Sequence, residues 1–209
     1  MTIAREGYPL ILTAGVLTLL ALVLDWVFVG VILAWLTAAI AAFFRDPKRN
    51  IPAGDGLIVA PADGRVVAVA AAPAGGMFSG AATRISIFLS PLDVHINRVP
   101  VGGKITELRY QSGKYLAAYK EAASERNEQN ALKIVDAGGR SFGVVQIAGV
   151  LARRIVCRVK QGDDVERGAR FGLIMFGSRT DAYLPKDCSV AVVEGQRVKG
   201  GETIIGRIV

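Results

Sequence analysis

From Tyr8 to Phe44 the chain is apolar at almost every position, and Asp25 is the single charged residue of that stretch. As one straight helix it would run roughly 55 Å against a hydrocarbon core of ~30 Å, so the pattern predicts two helices that break near Asp25-Trp26. The first is short for a full crossing, which leaves a spanning hairpin and a shallow re-entrant arm both open. A carboxylate beside an indole suits a polar interface at the break. Beyond Asn50-Ile51-Pro52 the period changes to short alternating runs punctuated by glycine, with no long amphipathic helix among them. Strands are predicted at 57–60, 64–71, 83–89, 103–110, 131–136, 141–147, 155–159, 171–176, 182–184 and 202–208. The polar stretch from Ser112 to Asn130 reads as a loop with a helical turn. The expectation is a mainly β fold, a compact β-sandwich or barrel-sandwich-like domain over 50–209, behind an N-terminal helical membrane hairpin over 1–49.

Composition sharpens this picture. With 52% hydrophobic residues and a mean hydropathy of +0.40, the 209-residue chain is more apolar than a soluble domain needs, and the excess sits in the first 49 residues. Arg5 precedes the apolar pair and Arg45, Lys48 and Arg49 follow it. A hairpin therefore leaves both basic flanks on one side, which the positive-inside rule makes cytoplasmic, with the β domain on that side of the cell membrane. A cleaved signal peptide fits poorly, because the apolar stretch is too long. The formal net charge of +7 suits anionic lipid headgroups better than nucleic acid, given the anchor. Cys157 and Cys188 lack metal-ligand spacing and read as reduced structural thiols, so no metal is expected.

Two segments share the form Gly-x-x-Val-x-x-Gly, Gly162 to Gly168 and Gly195 to Gly201. Such turns join strands in sandwiches of the biotinyl and lipoyl carrier type, which present a lysine at a hairpin tip for modification. Here the tip carries Gly177-Ser178-Arg179. By itself Gly-Ser is an ordinary turn between two strands.

Four separated segments give it another meaning: Pro61-Ala62-Asp63-Gly64, Phe88 through Pro100 with Ser90-Pro91-Leu92-Asp93-Val94-His95, Ser124-Glu125-Arg126-Asn127-Glu128, and Phe171 through Asp181. In this order they resemble the phosphatidylserine decarboxylases, in the short membrane-associated form, across nearly all of residues 45–209. The resemblance implies a proenzyme that cuts itself at Gly177-Ser178 into chains 1–177 and 178–209. Ser178 Oγ would attack the Gly177 carbonyl, and elimination and hydrolysis would convert the serine into a pyruvoyl cofactor. That ketone would form a Schiff base with phosphatidylserine and hold the electrons released with carbon dioxide, giving phosphatidylethanolamine without an external cofactor.

The resemblance assigns catalysis to Ser178, His95 and Asp63. His95 is the only histidine of the chain, and an unperturbed pKa of about 6.5 lets a histidine exchange a proton at neutral pH. Asp63 stands as either a turn-stabilising carboxylate or part of the cleavage machinery, and Asp93 shares that ambiguity. Longer family members carry a second histidine where this chain has Arg98. A guanidinium stays protonated and is no base, so either His95 serves both steps or Asp63 acts more directly. Arg98, Lys114, Arg126 and Asn127 are candidate headgroup contacts. A homodimer is a further expectation of the resemblance. The rival readings are a decarboxylase of a related serine lipid such as archaetidylserine, and a membrane-tethered β-sandwich binding module that never cleaves.

Overall fold

The computed structural model describes residues 2–72, 76–78, 80–114, 127–149, 154–175 and 178–209. Gly177, Arg126, Arg153 and most of the predicted 112–130 loop lie outside them. The chain divides into two compact units, Met1–Lys48 and Arg49–Val209.

The first unit is a helical hairpin: strand β1 (Thr2–Ile3), a 3-10 turn at Arg5–Gly7, α1 (Tyr8–Val23), α2 (Val27–Phe43) and β2 (Arg45–Asp46). The break falls at Asp25-Trp26, and its cause is a helix C-cap. The Trp26 N–H reaches the Ala21 carbonyl at 2.8 Å and the Asp25 N–H reaches Leu22 at 3.1 Å, with Asp25 left-handed at φ 55°. This is the Schellman pattern, with a short polar residue in the left-handed place glycine usually takes. Small residues bring the helices together. Ala14, Ala21 and Gly30 are buried, and a Cβ on Gly30 would collide with the Leu22 side chain. Pairing of Thr2 with Asp46 and Ile3 with Arg45 ties the two ends of the hairpin side by side. Its outer face is apolar, with Phe28 79% and Trp35 75% exposed. One segment, Arg5–Val23, is long and apolar enough to cross a bilayer, whereas Val27–Phe43 is shorter.

The second unit is mainly β, as the alternation predicts. Its strands are β3 (Leu57–Val59), β4 (Gly64–Ala71), β5 (Ala81–Leu89), β6 (Ile96–Arg98), β7 (Gly103–Gln111), β8 (Gln129–Val135), β9 (Ser141–Ile147), β10 (Ile155–Cys157), β11 (Asp164–Val165), β12 (Arg170–Ile174), β13 (Ser178–Pro185), β14 (Cys188–Val190), β15 (Arg197–Val198) and β16 (Ile204–Ile208). Eight form one antiparallel sheet in the order β11-β7-β8-β9-β13-β5-β4-β15, and two three-stranded sheets run β10-β12-β6 and β14-β16-β3.

These orders contain a repeat. β3, β4, β5 and β13 to β16 reproduce the arrangement of β6, β7, β8 and β9 to β12, strand for strand in both kinds of sheet. The halves join where β9 pairs with β13, from Arg179 opposite Ile147 to Tyr183 opposite Gly143. The two Gly-x-x-Val-x-x-Gly segments occupy matching places at the two edges of the large sheet, where Val165 pairs with Gly103 and Val198 with Gly64. Their outer glycines, Gly162, Gly168, Gly195 and Gly201, all have positive φ, the conformation that glycine adopts without a Cβ penalty.

One face of the large sheet supplies the main core, with Ile85, Ile87, Leu132, Val144, Ala182 and Leu184 all buried. The other face carries Val145, Ile147 and Tyr183, with Phe78 stacked on Tyr183 at 4.4 Å between ring centroids. Strand alternation puts Ser178, Thr180 and Ala182 toward the first face and Arg179, Asp181 and Tyr183 toward the second. Arg179 and Asp181 form a buried ion pair there, Nε to Oδ1 at 2.9 Å and Nη2 to Oδ2 at 3.0 Å, their side chains 4% and 0% exposed. Burial pushes the Asp181 carboxyl up, and the guanidinium opposes that shift.

Two predictions follow the packing. Arg179→Met, made in an uncleavable Ser178→Ala chain, is expected to lower stability by about 3–5 kcal/mol, because Asp181 loses its counter-charge. Thermal unfolding in detergent measures this, and Arg179→Met/Asp181→Leu should recover most of the loss. The Cys188 thiol is pushed up to about 11 by burial and by the neighbouring Asp187. Its alkylation by iodoacetamide at pH 8 should be on the order of 100-fold slower than that of a free cysteine, rising with pH.

Candidate active site

Ser178 is the first residue of β13 and is fully buried. Its register is set on the β5 side, where it lies opposite Leu89, the last residue of β5. The chain leaving Leu89 is the segment Ser90 to His95, so strand pairing brings the serine and the root of the histidine loop to one end of the sheet. β12 approaches the same place from the other side. It pairs antiparallel with β6, Leu173 opposite Ile96, and the Ile174 N–H points to the His95 carbonyl at 3.4 Å. Four residues later the chain reaches Ser178. His95 thus lies at the corner where the chain passes from β12 to β13. The Ser178 hydroxyl makes no hydrogen bond among the described residues, although it is buried. A buried hydroxyl without a partner is an unfavourable arrangement that packing alone does not call for; Ser86 Oγ on β5 is in the same state.

The histidine loop is built by Asp93. Its Oδ2 accepts hydrogen bonds from the Ser90 N–H at 2.8 Å and the Ser90 hydroxyl at 2.7 Å, and its Oδ1 faces Arg197 Nη1 at 3.2 Å. The loop reading of Asp93 describes its contacts. The Asp93 carbonyl in turn lies 2.9 Å from His95 Nδ1. A carbonyl can only accept, so Nδ1 holds a proton and Nε2 is the acceptor nitrogen of the neutral ring. His95 is 2% exposed.

Asp63 sits in the turn before β4. Arg49 Nη2 donates to its Oδ2 at 2.8 Å, and the Gly200 N–H donates to its Oδ1 at 2.8 Å. Glycine must follow it: Gly64 has φ 145°, and a Cβ there would strike the Phe88 carbonyl. The Pro61 carbonyl accepts from the Arg98 N–H at 2.8 Å, which fastens this turn to the strand following His95. Asp63 is therefore part of the frame around the site, with both oxygens engaged.

Among the described residues, the candidate headgroup contacts Arg98, Lys114 and Asn127 are engaged in different ways. Arg98 is buried, its Nη1 donating to the Gly168 carbonyl at 2.9 Å and its stem packed where a Gly201 side chain would go. Lys114 is exposed beyond β7 and bridges in backbone pairing to Asn127. Asn127 is fully buried, and its Nδ2 donates to the Ala148 carbonyl at 2.7 Å. Arg126 lies outside the described residues. Arg154 is exposed, and its carbonyl accepts the Met175 N–H at 3.2 Å.

Sequence reasoning missed a polar cluster below the serine. Asn97, Gln146 and Thr180 are fully buried and Asn130 nearly so, and their side chains join in series: Asn130 Nδ2 to Gln146 Oε1 at 3.0 Å, Gln146 Nε2 to Asn97 Oδ1 at 2.8 Å, Asn97 Nδ2 to Thr180 Oγ1 at 3.2 Å. The signal lay in the alternation, since Asn130 and Gln146 fall on inward positions of otherwise apolar strands. No group of three or more metal-ligating side chains occurs among the described residues.

Comparison with known proteins agrees with this geometry. The family model described as phosphatidylserine decarboxylase matches residues 36–206. A phosphatidylserine decarboxylase proenzyme of Symbiobacterium thermophilum is 48% identical over 206 residues, covering 99% of this chain and 95% of that protein. One from Saccharopolyspora erythraea is 49% identical over 97% of this chain and 86% of its own. Another, from Gluconobacter oxydans, is 51% identical over 82% and 78%. With the serine, the histidine loop and the aspartate turn drawn to one end of the large sheet, and with likeness running through the whole β unit, the chain belongs to the phosphatidylserine decarboxylase family.

Proposed function

We propose that this protein is a self-processing decarboxylase of phosphatidylserine, cut between Gly177 and Ser178 and carrying a pyruvoyl group at the new N-terminus of chain 178–209. The observation that carries the proposal is the Ser178 hydroxyl, buried and without a hydrogen bond among the described residues, at the corner that also holds the only histidine. A group made from Ser178 needs no separate binding pocket, since the strand that holds the serine holds the product of its conversion. The pyruvoyl ketone supplies an electron sink for the pair left behind when carbon dioxide departs from an amine-linked substrate.

The chain's own residues supply the rest. In maturation, Ser178 Oγ bonds to the Gly177 carbonyl carbon while His95 Nε2 takes the hydroxyl proton, and the peptide C–N bond breaks as that proton passes to the Ser178 nitrogen, leaving an ester and a free amine. Elimination then releases residues 1–177 with a C-terminal carboxylate on Gly177, and hydrolysis releases ammonia. In turnover, His95 Nε2 returns a proton to the carbon that lost carbon dioxide. Asp93 holds the ring through its carbonyl, so one orientation of His95 serves both steps. Asp63 acts as a positioning residue, holding the turn beneath β6 by its links to Arg49 and Gly200. Arg98, the last residue of β6, holds the same turn through its N–H to the Pro61 carbonyl and reaches the Gly168 carbonyl through Nη1.

The hairpin of α1 and α2 lies in the membrane with both ends on the cytoplasmic side. The pairing of β1 with β2 supports this, because it sets Arg5 and Arg45 at one end of the hairpin, where the positive-inside rule favours them.

Intact-mass measurement of the purified protein should find two chains, 1–177 and 178–209, the smaller blocked at its N-terminus. Ser178→Ala should remain one chain and be inactive, and normal decarboxylation by that variant would rule out the proposed cofactor. The cut chains should co-elute in detergent and part only in denaturant, because β13 is hydrogen-bonded to both β5 and β9. His95→Ala should slow chain splitting, followed by intact mass, and carbon dioxide release from phosphatidylserine in mixed micelles, each by roughly 100- to 10,000-fold, the range of general acid–base catalysis.

A further inference from the structure

The buried series Asn130, Gln146, Asn97 and Thr180 links four strands, β8, β9, β6 and β13; β13 begins with Ser178, and β6 begins at the residue after His95. Its direction is fixed by chemistry. The Val156 carbonyl lies 3.4 Å from Gln146 Nε2 and can only accept, so the amide nitrogen of Gln146 faces β10 and Asn97. That orientation makes Asn97 Oδ1 the acceptor and leaves Asn97 Nδ2 to donate to Thr180 Oγ1. Asn130 donates to the remaining Gln146 oxygen. Three amides thus align head to tail and end on one hydroxyl.

Such a series is a costly way to fill a core. Apolar side chains of the same shape would avoid the desolvation of three amides and would pack against the surrounding Ile and Val residues, so what the series adds is definition of position rather than stability. Its location indicates what is being positioned. β6 runs antiparallel to β12, and β13 continues the chain beyond β12, so β6 and β13 both run away from the corner at 175–178. His95 begins one path and Ser178 the other. Two residues along each path, Asn97 and Thr180 meet in a hydrogen bond of 3.2 Å. Asn97 follows His95 by two and Thr180 follows Ser178 by two, so this bond fixes the distance and height of one strand against the other just below the reacting groups.

We infer that Asn97 and Thr180 are positioning residues for the chemistry at Ser178, with Gln146 and Asn130 orienting Asn97 so that its amide holds the histidine strand against the serine strand. The inference rests on the proposed roles of Ser178 and His95. It assigns function to residues that touch neither substrate nor cofactor.

The test uses the full chain in detergent, comparing wild type, Thr180→Val and Thr180→Ser, with Ser178→Ala alongside. Thr180→Val keeps the shape of the side chain and removes its oxygen; Thr180→Ser keeps the oxygen. Chain splitting followed by intact mass and decarboxylation followed by carbon dioxide release are both expected to slow on the order of 10- to 100-fold in Thr180→Val, with KM within about twofold of wild type. Thr180→Ser should restore both rates to within about threefold. Wild-type rates in Thr180→Val, or equal losses in the serine and valine variants, would overturn the inference. If Thr180→Val does not accumulate as folded protein, Thr180→Ala, which leaves room for water at Asn97 Nδ2, is read the same way; failure of that variant to fold as well would assign the bond to stability alone and overturn the inference. A wild-type chain that never splits, or a Ser178→Ala chain that decarboxylates, would instead defeat the proposed function, so the two failures are distinct.

Discussion

Everything in the β unit depends on the register of β13. It is the strand that joins the two repeated halves, bonded to β5 on one side and β9 on the other, and its first residue is the serine. A slip of one residue would exchange the two faces, turning Arg179 and Asp181 into the apolar core and Ser178 and Thr180 out of it. The buried ion pair and the buried hydroxyls therefore oppose the same error from opposite sides of one strand. This is a strong constraint on where Ser178 lies.

The site is framed by polar groups that have been given other tasks. Asp63, Asp93 and Arg98 all look chemically ready in isolation, yet each is engaged with the backbone or with a partner that shapes the corner. Among the described residues Ser178 Oγ is buried without a hydrogen bond, a state it shares with Ser86 Oγ on the neighbouring strand β5.

Much of this was legible in the sequence, for reasons that can be named. The hairpin break showed because a charge interrupts a long apolar run, and the left-handed residue that ends α1 is that same Asp25. The two Gly-x-x-Val-x-x-Gly turns showed because positive φ demands glycine. What did not show was the extent of β13, predicted to begin at Ala182: Ser178 and Arg179 read as part of a hairpin tip, while the structure buries both, with Thr180 and Asp181, in the strand. Local polarity misleads wherever polar groups satisfy one another across strands distant in sequence. The three-residue strand β6 and the Asn97–Thr180 contact, 83 residues apart, escaped for the same reason.

The interleaving of the halves also governs what a cut can do. β13, β15 and β16 lie against β5, β4 and β3, so the last 32 residues are woven into the first half of the chain rather than appended to it. A break before Ser178 removes a covalent bond without freeing a folded piece. Exchange of the small chain between molecules would require the large sheet to come apart, so under the proposed cleavage each molecule would keep the Ser178 end it was synthesised with. Damage to that end would then be permanent for the molecule, and renewal of the proposed cofactor would come only from synthesis of new chains.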